Sequence, residues 1–121
     1  MRESTLWFWH IIAGAVILVL VGLHMTVMHL DDIIGLYANA TEWETVIARS
    51  QQGFFMVTYI LLLGAALYHG LYGFRSILFE LSLGKGCQKA INWLFLIGGL
   101  LLFIYGAYVA IAVYSMKEVV S

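Results

Sequence analysis

The sequence predicts an all-α membrane protein of three transmembrane helices, and three observations carry that prediction. Hydrophobic residues make up 63% of the 121 residues and charged residues only 11%, more apolar surface than a soluble domain of this size can hide. A helix needs roughly 20 apolar residues to cross a bilayer, and the stretches at about 6–30, 54–79 and 90–115 each meet that length. They use nearly the whole chain, so residues 1–121 read as a single transmembrane domain with no separate soluble part.

The first span is too long for the apolar region of a signal peptide, lacks an obvious small-residue cleavage site and is followed by two more spans, so it is expected to be retained. Trp7, Trp9, Trp43, Trp93 and Tyr114 fall where interfacial aromatics anchor spans at the membrane surface. The first loop, 31–53, is the longest polar stretch. Its TEWETVIARSQQ portion predicts a short interfacial helix with Thr41 as N-cap and Glu44 at the N3 position. In the second loop, 80–89, Gly84 of LSLGKG is expected to end span two, as glycine commonly ends helices. The chain contains no proline, so the spans are expected to run without proline kinks. Gly99 and Gly106 lie seven residues apart in span three, share a face, and are expected to permit close helix packing.

The few charges set an expected orientation. Arg2 precedes span one, and Arg75, Lys85 and Lys89 flank the second loop, whereas the first loop carries Asp31, Asp32, Glu42 and Glu44 against Arg49. By the positive-inside rule the N-terminus and second loop are cytoplasmic, and the first loop and C-terminus lie outside. A net charge of −1 with no basic cluster argues against nucleic acid. The single Cys87 can form no internal disulfide and has no metal-ligand spacing, so it reads as inert.

His69 is the strongest chemical signal, a polar ring deep in the apolar span LLLGAALYHGLYGFRSILFEL. Such groups inside a membrane are functional candidates by default. Its helix face presents Ala65, Ala66, Gly73 and Ser76, with Tyr72 the only large neighbour. That face leaves room for the flat edge of a haem. It equally suits a tight helix crossing in which His69 is hydrogen-bonded to a neighbouring carbonyl. Arg75, about 9 Å further along the helix, suits either a haem propionate or a positive anchor at the interface. His24 lies near the other end of span one, about 10 Å different in depth from His69 when each is counted from its own helix end. The two are therefore better suited to two haems at two depths than to one, each iron taking its second ligand from another chain. His29 is turned away from His24 beside Asp31 and Asp32 and reads as solvated. His10, near Trp7 and Trp9, reads as an interfacial residue able to contact a haem propionate or a quinone head group. Glu80 reads as a helix-end charge near Lys85, with a role at a docking surface as the alternative.

The motif HGLYGFRSILFE, with HMTVMH in span one, resembles the membrane-anchor cytochrome b subunits of the succinate dehydrogenase and fumarate reductase family. In that family a second-span histidine is followed by a glycine four residues on, often by an arginine, and then by an acidic residue near the helix end; His69, Gly73, Arg75 and Glu80 match. The resemblance implies half of a heterodimeric haem-binding helix bundle, in which His69 is an axial ligand of the inner haem and His24 of the outer one. Members with a single haem lack the first-span ligand, so His24 points to the two-haem form. It further implies a second membrane-anchor subunit, an iron-sulfur subunit and a flavoprotein subunit as partners, the last carrying the succinate and fumarate chemistry, and a quinone as electron partner. Where ubiquinone-reducing members tend to carry a tyrosine after the acidic residue, Leu81 stands here, and where others carry an arginine after the first-span histidine, Ile11 stands here. Both departures favour menaquinone. In two-haem relatives an outer acidic group can join quinone proton chemistry, and Glu42 and Glu44 are candidates, with solvated loop charges as the plainer alternative. The short segment before span one suggests the shorter anchor subunit, usually called D, in a prokaryotic cytoplasmic membrane. A competing expectation is a haem-free structural or assembly subunit of a respiratory complex. A small transporter is disfavoured, because no span carries an acidic or basic residue at its centre.

Overall fold

The computed structural model describes residues 2–29 and 42–120, with side chains as far as Met116. Four helices make up the described residues: α1 (Glu3–His29), α2 (Trp43–Ser50), α3 (Gly53–Phe79) and α4 (Lys85–Val120). Of these, α1, α3 and α4 are long and apolar enough to cross a membrane. Each is uninterrupted, as a backbone in hydrocarbon requires, because an amide without an internal partner there finds no water. Hydroxyls inside the spans obey the same rule. Thr26 donates to the Gly22 carbonyl (2.8 Å), Thr58 to Phe55 (2.9 Å), Ser76 to Tyr72 (2.9 Å) and Ser115 to Ile111 (2.9 Å).

The spans form a layer with α3 in the middle, packed against α1 on one side and α4 on the other, while the backbones of α1 and α4 make no close approach among the described residues. Glycines set the α3–α4 contact. A Cβ on Gly99 would come within 2.8 Å of Leu71, and Leu63 occupies the space beside Gly106. Small residues at these positions let two helices approach closely where no hydrophobic effect separates protein from lipid. The short α2 lies against α3 and α4 at the end of the layer opposite their connecting turn, where Gly53 and Tyr114 also meet.

Two local expectations are corrected. Helix α3 ends at Phe79 with Glu80 as C-cap, and the left-handed residue in the turn is Ser82, at φ 55°. Gly84 does not end α3; its carbonyl accepts the Gln88 amide in the first turn of α4. That helix begins at Lys85, so the second loop spans 80–84 and Cys87 lies exposed on α4. Helix α2 begins at Trp43 with Glu42 as N-cap and without a side-chain cap bond. The expected capping residue, Thr41, lies outside the described residues, as do Leu30, Asp31 and Asp32.

This layer has almost no interior. Among the described residues only Ala13 and Arg49 are buried, while Leu18 is 77% and Tyr105 68% exposed. Lipid or partner chains must cover such a surface.

Candidate functional site

The α1–α3 contact is built on two copies of one spacing, a histidine followed four residues later by a glycine: His10 with Gly14, and His69 with Gly73. The helices run antiparallel, so each histidine arrives over the other helix's glycine. A Cβ on Gly14 would sit 3.1 Å from His69 Cε1, and one on Gly73 would sit 3.3 Å from His10 Cε1. The two imidazoles stack between these notches, with centroids 4.1 Å apart and planes 2° from parallel. His69 Nδ1 donates to the His10 backbone carbonyl at 3.1 Å, because a carbonyl can only accept. With its proton on Nδ1, a neutral His69 carries its lone pair on Nε2, the arrangement that metal-binding histidines use. Tyr72 packs on His10 with ring centroids 5.1 Å apart, and His10 Nδ1 is buried without a hydrogen-bond partner.

His10, expected near a membrane boundary, lies at the level of His69, because α1 is displaced along α3. Its first residue, Glu3, meets Arg75 rather than the end of α3, with Oε1 2.8 Å from Nη2. Tyr72 donates to the same carboxylate at 3.2 Å, Arg75 Nε bonds Asn92 of α4, and the guanidinium lies over Phe79 at 4.2 Å. Arg75 thereby ties all three spans together at one end. Tyr68 adds a bond to the Leu6 carbonyl at 2.6 Å. Beside this polar cluster runs a groove of about 640 Å³, continued along α3 and α4 by Gly64, Leu71, Phe95, Gly99 and Phe103.

His24 stands apart. Counted along α1 from His10 it is about 21 Å away, roughly twice the depth difference from His69 that the helix ends suggested. Its ring lies 6.3 Å from Tyr59 in an edge contact. A pocket of about 20 Å³ adjoins it, lined by Arg49, Phe55, Thr58 and Tyr59 among others. That volume suffices for about one water, so a larger group on His24 has to lie on the side that faces out of this chain. Arg49 reaches in from α2, its guanidinium on Met28 Sδ (2.6 Å) and over Phe55 (5.9 Å). His29, Glu42, Glu44 and Glu80 are exposed.

The structure thus brings together His10, His69, Gly73 and, one step along, Arg75, and leaves His24 distant. Sequence reasoning missed Glu3, Gly14 and Asn92. The repeated histidine-glycine spacing was the available signal for Gly14; Glu3, at the start of α1, and Asn92, two turns into α4, are ordinary polar residues and offered none.

No protein-family model, curated protein or solved structure matches the chain. The fold itself defines an all-helical protein with three helices suited to crossing a membrane.

Proposed function

We propose that this chain is the haem b membrane-anchor subunit of a succinate:quinone oxidoreductase, serving electron transfer between an iron-sulfur subunit and a quinone, with menaquinone favoured by Leu81 and Ile11. The observation that carries the reading is the state of His69. Its Nδ1 proton is held by a backbone carbonyl within an apolar span, which leaves Nε2 as a ligand atom. These residues suit haem b, which supplies reversible one-electron chemistry when held by two imidazoles with no open iron position.

Within that reading His69 holds the inner haem and His24 the outer. The separation of about 21 Å along α1 suits two sites better than one. Each histidine gives one ligand, so a second anchor subunit completes both sites and covers the exposed apolar surface. Tyr72, Gly73 and Arg75 belong to the inner site. Arg75 is already bonded to Glu3, so the pair meets a ligand as a neutral unit and not as a free cation. The dicarboxylate chemistry belongs to the flavoprotein, on the cytoplasmic side that the positive-inside pattern gives to the second loop.

The test is a reduced-minus-oxidised spectrum with haem quantified per complex, on protein purified in mild detergent. Two b haems with copurifying flavin and iron-sulfur protein are expected. His69→Ala should remove the inner haem, and His24→Ala should lower the content from two to one. Full haem in the His69 variant would defeat the assignment.

A second reading is favoured by one observation: His10 and His69 already fill each other's glycine notches, as a purely structural crossing would require. A haem-free anchor or assembly subunit would show no b-type absorbance in the same experiment.

A further inference from the structure

We infer that His10 is a positioning residue whose ring sets the plane of the His69 imidazole, an inference that rests on His69 being a haem ligand. Two separate devices act on His69, and both come from His10. The backbone carbonyl receives the Nδ1 proton at 3.1 Å, which fixes the tautomer and holds one edge of the ring. The His10 ring bears on the face of His69, 4.1 Å away and 2° from parallel, and so limits tilting of the plane about that edge.

The glycines make room for the stacked pair. His69 lies beside Gly14 and His10 beside Gly73, where no side chain stands between ring and helix backbone, and Tyr72 lies against the His10 ring at 5.1 Å. The His10 ring meets His69 through its flat face, and its Nδ1 is buried. The orientation of an axial imidazole and its hydrogen bond are means by which a protein tunes haem iron. In this chain the first would depend on the His10 side chain, and the second on a backbone atom that no substitution at position 10 deletes.

The two devices can be separated experimentally. The intact complex is purified with wild-type chain, His10→Ala and His10→Phe, and three quantities are measured: haem per complex, the low-spin ferric electron paramagnetic resonance g-values, and the inner-haem midpoint potential. His10→Ala keeps the carbonyl and loses the flat ring, so the inner-haem g-values and potential should shift. His10→Phe restores a flat ring without imidazole nitrogens and should return both toward wild type. Wild-type g-values and potential in His10→Ala would overturn the inference. So would His10→Phe matching His10→Ala, since that outcome assigns the effect to the nitrogens. Should His10→Ala fail to assemble, His10→Phe decides alone: wild-type signals support the inference and shifted signals overturn it. Absence of haem from the wild-type complex is a different result, which removes the haem reading and the positioning role with it.

Discussion

At the scale of single residues, the α1–α3 crossing depends on two missing side chains. Gly14 and Gly73 are places where a ring from the opposite helix lies 3.1–3.3 Å from where a Cβ would stand, and the two rings are stacked on each other at 4.1 Å. Gly14→Val is therefore expected to destabilise the chain by about 1–3 kcal/mol, the usual cost of overpacking a close contact. Gly22 on the same helix has nothing within 4 Å of a Cβ, so Gly22→Ala should be neutral or stabilising by up to about 1 kcal/mol. Unfolding of both variants in mixed micelles checks the pair; equal effects would mean that the notch does not matter. His69 was conspicuous in the sequence as a lone imidazole in an apolar span. Its partner was not. Only the repeated histidine-glycine spacing hinted at His10, and a four-residue spacing does not say that its two copies meet.

Among elements, the decisive quantity is the offset of α1 along α3. Hydropathy locates both spans, but it cannot fix one against the other to within a turn, because apolar side chains pack against apolar neighbours at many offsets. Directional contacts select the offset: the Nδ1 bond of His69 to the His10 carbonyl, Tyr68 to the Leu6 carbonyl, and Glu3 to Arg75. Arg75 is 13% exposed and Glu3 65%, so the pair is partly screened and worth about 1 kcal/mol or less. Glu3→Gln should therefore loosen the start of α1 without unfolding the layer. Hydrogen exchange should quicken in the first two turns of α1 and stay unchanged around Gly22; uniform acceleration along α1 would instead make Glu3 essential to the whole helix. The same contacts account for the corrected depth of His24. The turn between α3 and α4 was harder to read, since the residue at φ 55° is Ser82 while the glycine that looked like a helix terminator opens α4.

For the whole molecule, a layer of three spans with so little interior depends on lipid or partner chains to cover its apolar faces. Helices α1 and α4 are held together through α3 and through the polar tie of Glu3, Arg75 and Asn92. With Arg75 engaged by Glu3, the positive-inside bias at that end rests on Arg2, Lys85 and Lys89. Cys87, the only cysteine, is exposed on the first turn of α4 and reports orientation directly. A membrane-impermeant maleimide should label it in inverted vesicles and leave it unlabelled in intact cells. A cysteine placed at Glu44 in a Cys87→Ser background should give the opposite pattern, and the reverse result at both positions would invert the topology.

The number, length and helical character of the spans follow from local sequence, because in hydrocarbon an apolar stretch of sufficient length has one economical way to satisfy its backbone, which is to hydrogen-bond within itself. Tertiary structure alone decided that His10 stacks on His69 and that Glu3 claims Arg75. Those outcomes join residues 59 and 72 positions apart in the chain. No local periodicity encodes such pairings; they arise only when two helices settle at the single offset where glycine notches, ring faces and charges coincide.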